Sequence, residues 1–172
     1  MGKPPPPRYP HAMQRSALLL VLIGGVAVIG GALLFQYVGG LAPCELCLLE
    51  RWPYYIGVPV TVLALWAGGR PALAVGLVAI VLLLYLGSSG LALYHVGVEQ
   101  HWWQGPTACT ASSAAKTLEE LRAQLMAQQP VLCDQPQWSL FGISLAGWNF
   151  LASVVLALLS LAALRGAMGR RG

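Results

Sequence analysis

Two cysteines, Cys44 and Cys47, stand two residues apart where a Gly- and Pro-containing stretch meets an apolar run, and Arg51 follows the second by four residues. That spacing closes a small disulfide. Such pairs are typically redox-active when they lie at a helix start or near a cation, because both lower the thiol pKa and populate the nucleophilic thiolate. A helix begun near Cys44 places Cys47 and Arg51 on one face, one turn apart. The guanidinium keeps its charge in a low dielectric, so it can hold a thiolate or a polar ligand oxygen. The competing structural readings are a static disulfide and an arginine that snorkels to lipid headgroups beside Glu50. A zinc site built from all four cysteines lacks the second C-x-x-C of a zinc ribbon, since Cys109 and Cys133 lie 24 residues apart. Glu45, inside the spacer, is a negative charge that disfavours a neighbouring thiolate.

The elements that must position these residues are membrane helices. The chain has 172 residues, enough for one domain; 57% are hydrophobic and 9% charged, against roughly 25% charged in an ordinary soluble domain. Four apolar runs, at 16–37, 47–67, 72–94 and 145–164, are each long enough to cross a bilayer core. The fold expected is an all-α membrane protein, a four-transmembrane-helix bundle. A Pro-rich basic tail, 1–15, precedes it and a basic tail, 165–172, follows. A signal peptide is a weaker reading of the first run, which is long for one and lacks a small-x-small cleavage site. Between the third and fourth runs lies a long polar loop, 95–144, with the second cysteine pair. Within it, residues 114–128 carry a short amphipathic pattern, Leu118, Leu121 and Leu125 against Lys116, Glu119, Glu120 and Arg122, suited to the membrane interface. Trp102, Trp103, Trp138 and Trp148 flank the runs as interfacial aromatics do.

Charge sets the expected orientation. With four spans, seven of the ten basic residues (Lys3, Arg8, Arg15, Arg70, Arg165, Arg170 and Arg171) fall on one side. The positive-inside rule makes that side, with both termini, cytoplasmic. The basic residues make no dense patch, which argues against nucleic acid. All four cysteines then face outward, in a bacterium the oxidising periplasm, where disulfides persist. Three pairings are open to four cysteines, and spacing alone does not choose among them. His95 ends the third run on the same outer side. Lone histidines at helix ends are usually caps or surface groups; the functional reading is that it faces a ligand beside Arg51. No nucleotide-binding glycine motif, Ser/His/Asp set or metal-ligand histidine pair is present, so no metal is expected. Disulfides alone cannot dispose of electrons indefinitely, and a quinone is the obvious membrane-soluble acceptor.

With Cys44-Glu45-Leu46-Cys47 followed by Glu50-Arg51, the Tyr94-His95 end of the third run, a long loop bearing Cys109 and Cys133, and the stretch from Trp138 to Ser144, the sequence resembles the DsbB family of bacterial inner-membrane thiol oxidases. The resemblance covers nearly the whole chain except the Pro-rich tail. It implies a protein dithiol:quinone oxidoreductase of the inner membrane. Its redox-active disulfides would be Cys44–Cys47 and Cys109–Cys133, and its diffusible acceptor ubiquinone or menaquinone. A DsbA-like periplasmic thioredoxin-fold partner would attack Cys109. Cys133 would then attack Cys44, releasing Cys47 toward the quinone, with Arg51 stabilising the charge and His95 touching the quinone. The alternatives are a paralogue serving one dedicated partner and a non-catalytic membrane protein with two structural disulfides. The vitamin K epoxide reductase family also couples cysteines to quinones, but its loop cysteines precede its C-x-x-C.

Overall fold

The computed structural model describes residues 9–106, 117–119, 122 and 131–169. Among the described residues there are five α-helices, α1 (Tyr9–Tyr37), α2 (Glu45–Leu49), α3 (Trp52–Trp66), α4 (Pro71–Glu99) and α5 (Leu145–Met168), with a 3₁₀ turn at Ala67–Gly69. Three of them, from Met13 to Tyr37, Pro71 to Glu99 and Leu145 to Met168, are long and apolar enough to cross a membrane. The helix α3 is shorter, at 15 residues.

The helices differ in extent from the expected spans, and proline explains much of the difference. The first helix runs back through Arg15 to Tyr9; Pro10 sits in its first turn, where a missing N–H costs nothing. The expected second span, 47–67, is two helices. Pro53 in the first turn of α3 has no N–H for the Leu49 carbonyl and would press its ring against it, and α2 stops at Leu49. At the junction the ladder tightens: Arg51 N–H donates to Leu48 O at 3.2 Å, not to Cys47 O one helical turn back. The helix that carries the third expected span, α4, continues beyond residue 94 to Glu99, so His95 lies inside it. The last extends beyond 164 to Met168, placing Arg165 in its final turn, where a cation complements the helix dipole.

The four long helices form a closed ring in which α1 packs on α3 and α5, and α4 packs on the same two. Val21, Tyr54, Val81, Tyr85, Leu156 and Ala157 form the middle of the bundle. Ala17, Leu18, Ala64, Val78 and Ala163 close the end nearer the termini. Small residues let the helix backbones approach where hydrocarbon outside offers no hydrophobic drive. Polar Thr61, Ser88, Ser153 and Ser160 are buried, while Leu20, Ile23, Leu34, Leu83 and Leu158 are exposed. Apolar outside and partly polar inside is the pattern of a lipid-facing bundle.

A two-residue hairpin precedes α5. Ser139–Leu140 pairs antiparallel with Ile143–Ser144, and Phe141 and Gly142 between them both take positive φ, 55° and 77°. That is the backbone required to join two short antiparallel strands through a two-residue turn. The hairpin delivers Ser144 to the start of α5, where its Oγ accepts from Gly147 N–H at 3.1 Å and caps the helix. The amphipathic pattern at 114–128 falls, apart from 117–119 and 122, outside the described residues, as does Cys109.

Candidate functional site

The site gathers where α1 ends and α3 and α5 begin. Cys44 is the N-cap of α2, extended at φ −71° and ψ 171°, and its Sγ accepts from Cys47 N–H at 3.1 Å. Capping by sulfur turns the side chain back over the first helical turn, which brings it to Cys47, and the two are joined as a disulfide. Cys44 is 3% exposed, whereas Cys47 is half-buried. Glu45, at the first position of α2, is exposed; there a carboxylate complements the helix N-terminus, and water screens it from the buried sulfur.

Beneath the disulfide lies a buried polar chain. His95 Nε2 is 3.7 Å from Cys44 Sγ, and His95 Nδ1 is 2.7 Å from Glu50 Oε1. The other oxygen of Glu50 accepts from Asn149 Nδ2 at 2.7 Å. Asn149 Oδ1 accepts from Tyr54 OH at 2.6 Å, and Tyr54 OH also meets Ser153 Oγ at 2.8 Å. Ser153 Oγ in turn lies 3.0 Å from Ser88 Oγ. The chain ties α3, α4 and α5 together, and each buried polar group in it has a partner, the condition for its being tolerated. One turn beyond His95, Glu99 accepts a hydrogen bond from Ser144 Oγ.

Glu50 gives its oxygens to His95 and Asn149 and not to neighbouring Arg51. Arg51 Nη1 donates to Gln36 Oε1 at 2.5 Å, linking the start of α3 to the last turn of α1. Arg51, Cys47, Cys44 and His95 nevertheless share one cavity of about 460 Å³. It runs between α1 and α5 along Val28, Phe35, Leu145 and Trp148, with Ala27 and Ala152 too small to fill it. A mostly apolar hollow of this size with a few converging polar groups is the usual form of a small-molecule site.

Cys133 is 1% exposed and packs in one cluster with Cys44, Leu46 and Val98. The second cysteine-bearing segment therefore reaches the first pair. No cysteine among the described residues is a free thiol. Cys44, Cys47 and His95 also bring three potential metal donors within 4.8 Å of one another, but the disulfide consumes both thiolates that such a site would need.

Sequence reasoning missed Gln36, Tyr54, Asn149 and Ser153, and gave Glu50 only the role of a partner for Arg51. Asn149, a side-chain amide inside an apolar run, was the available signal, since an intramembrane polar residue needs a partner. Trp103 Nε1 donates to Tyr94 O at 2.8 Å and its ring stacks on Tyr94 with centroids 6.0 Å apart. Trp138 packs on Phe35 at 4.9 Å. Both cover the cysteine end of the bundle.

A helical bundle with spans of membrane length and a disulfide at the mouth of an apolar cavity defines a membrane thiol-redox protein. The chain belongs to the DsbB family: the family model for disulfide bond formation protein DsbB matches residues 14–163. Among similar proteins, disulfide bond formation protein B of Polaromonas sp. strain JS666 is 29% identical over 89% of this chain and 92% of its own length. Disulfide bond formation protein B 1 of Pseudomonas aeruginosa PAO1 is 30% identical over 84% of this chain and 91% of its own. Disulfide bond formation protein B of Verminephrobacter eiseniae is 30% identical over 91% and 90%. No solved structure matches significantly. The family assigns the chain a part in disulfide bond formation, through redox-active cysteines, in a membrane.

Proposed function

We propose that the protein oxidises a periplasmic thioredoxin-fold dithiol partner of the DsbA type and passes the two electrons to a membrane quinone. The observation that carries this reading is the Cys44–Cys47 disulfide, open on one side to the apolar cavity and packed on the other against Cys133. It has a face for a ligand and a face for a second thiol. The partner attacks Cys109 in a Cys109–Cys133 disulfide, and the freed Cys133 thiolate attacks Cys44 Sγ, expelling Cys47 as thiolate toward the cavity. Low-pKa leaving thiols depart faster, and a guanidinium lining the same cavity favours the charge that forms.

The cavity fits a quinone head group. Its walls are largely aliphatic and aromatic, and Cys47, Arg51 and His95 line the part that would hold the ring. When bound, the quinone supplies a two-electron acceptor. Arg51, held by Gln36, would orient a polar oxygen of the acceptor and would stabilise negative charge in the cavity, as preorganised donors do. The apolar walls exclude water from the exchange.

The proposed topology has α3 as a fourth span, completed at one end by α2 and at the other by the 3₁₀ turn. Both termini are cytoplasmic, and the cysteines lie at the periplasmic face of the inner membrane. The test is reconstitution of the full chain with a reduced thioredoxin-fold partner, with and without ubiquinone or menaquinone. Partner oxidation that needs quinone is expected, and oxidation that proceeds equally without it refutes the proposal. With Cys133→Ser, a mixed disulfide should collect at Cys109; collection at Cys44 would reverse the assigned order.

A further inference from the structure

Both ring nitrogens of His95 are engaged by protein groups. Nε2 faces Cys44 Sγ at 3.7 Å and Nδ1 faces Glu50 Oε1 at 2.7 Å, and the residue is 3% exposed. Glu50 is itself held on its other oxygen by Asn149, whose own oxygen is held by Tyr54. A carboxylate anchored at both oxygens has one orientation and imposes one on the imidazole. Thiol, imidazole and orienting carboxylate in a row is the arrangement that activates a nucleophile.

The two sulfurs are served differently. Cys44 Sγ receives the imidazole and the Cys47 N–H at 3.1 Å, two groups that favour a thiolate. Arg51, bound to Gln36, lines the cavity that both sulfurs share and makes neither of these two contacts to Cys44. The geometry points to His95 as the acid–base residue of Cys44, with Glu50 as the residue that positions it. This assignment rests on the redox reading of the Cys44–Cys47 pair.

When the Cys109 thiolate attacks Cys133 in a Cys133–Cys44 mixed disulfide, the Cys109–Cys133 bond forms, the Cys133–Cys44 bond breaks, and Cys44 leaves as thiolate. His95 donates its Nε2 proton to that sulfur and becomes neutral. When the Cys44–Cys47 bond re-forms, two electrons leave to the quinone acceptor, Cys47 reacts as the thiolate it left as, and one proton is released, from Cys44; the two protons of the quinol come from the Cys44 proton and from solvent. His95 Nε2 takes that proton back as Cys44 attacks and passes it on. The other ionisable groups around the ring among the described residues are Cys133, whose backbone also bonds the ring and which packs against Cys44, Glu99 on α4, held by Ser144, Tyr54 on α3, which reaches Glu50 through Asn149, and Arg51 at the start of α3.

The test is alkylation of the fully reduced, full-length protein, with the rate at each cysteine followed by peptide mass spectrometry across pH. It needs neither partner nor quinone. His95→Gln keeps a hydrogen-bonding side chain but cannot carry the proton. It should slow Cys44 alkylation about tenfold at pH 7, move the Cys44 pH–rate profile to higher pH, and leave Cys47 unchanged. Glu50→Gln should move Cys44 in the same direction. The double variant should match His95→Gln alone, because Glu50 acts through His95. An unchanged Cys44 rate, equal slowing at both cysteines, or effects that add in the double variant would each overturn the assignment. If His95→Gln does not fold, Asn149→Ala, which removes one anchor of Glu50, must also slow Cys44, and an unmoved rate overturns the assignment equally. A His95-dependent Cys44 in a protein that never reduces quinone refutes the proposed function alone. Quinone-coupled turnover with a His95-independent Cys44 refutes this assignment alone.

Discussion

Tyr54→Phe removes one oxygen from the middle of the polar chain and leaves the ring in place. Tyr54 is 2% exposed, and its ring packs on Tyr85 with centroids 5.6 Å apart, a contact that phenylalanine retains. The hydroxyl donates to Asn149 Oδ1 at 2.6 Å and meets Ser153 Oγ at 2.8 Å. Ser153 keeps Ser88 as a partner at 3.0 Å, so its hydroxyl can re-pair, and only the Asn149 oxygen is stranded. A stranded part-buried acceptor costs about 1–3 kcal/mol, and the variant should lose about that much, not twice it. Ser153→Ala should lose less, because Tyr54 OH still donates to Asn149. The assay is a denaturant titration of the detergent-solubilised protein followed by circular dichroism. Equal stability of Tyr54→Phe and wild type, or a larger loss from Ser153→Ala, would refute the reasoning that Asn149 is the group left without a donor.

Other outcomes follow from single sites. A Cβ on Gly97 would sit 2.0 Å from Trp103 Cζ2, so Gly97→Ala should expel Trp103 from its stack on Tyr94. A red-shifted tryptophan emission measures this, and an unchanged spectrum contradicts it. Gly142 holds φ +77° in the hairpin turn, so Gly142→Val should cost roughly 1–2 kcal/mol, read in the same denaturant titration. Arg51→Gln should raise the quinone KM about 10- to 100-fold, the loss of one charge-assisted hydrogen bond. Arg51→Lys should recover part of this, since it keeps the charge without the fork.

Much of the bundle was legible because apolar runs of membrane length have few other uses. The boundaries were less so. Hydropathy is blind to backbone hydrogen bonding, and Pro53 divides an apolar run that composition reads as continuous. His95 lies within α4 because Val96, Gly97 and Val98 continue the helix past the first polar residue. At the site, the cysteines and Arg51 announced themselves by type and spacing. Glu50 was visible beside them but was read as a local partner for Arg51. Its actual partners, His95 and Asn149, lie 45 and 99 residues away, and tertiary packing alone sets such pairings. Gln36 escaped notice for the same reason, being 15 residues from the arginine it binds.

The central claim is that the Cys44–Cys47 pair hands electrons to quinone at the cavity. Its most direct measurement uses protein with Cys109 and Cys133 both replaced by serine, reduced, and mixed anaerobically with quinone. Quinol formation is followed by absorbance and the thiols by mass spectrometry. The expected result is re-formation of the Cys44–Cys47 disulfide with one quinone reduced per protein, abolished by a further Cys47→Ser. Quinone that stays oxidised in the reduced double-serine protein, or quinol that still forms without Cys47, would contradict the account.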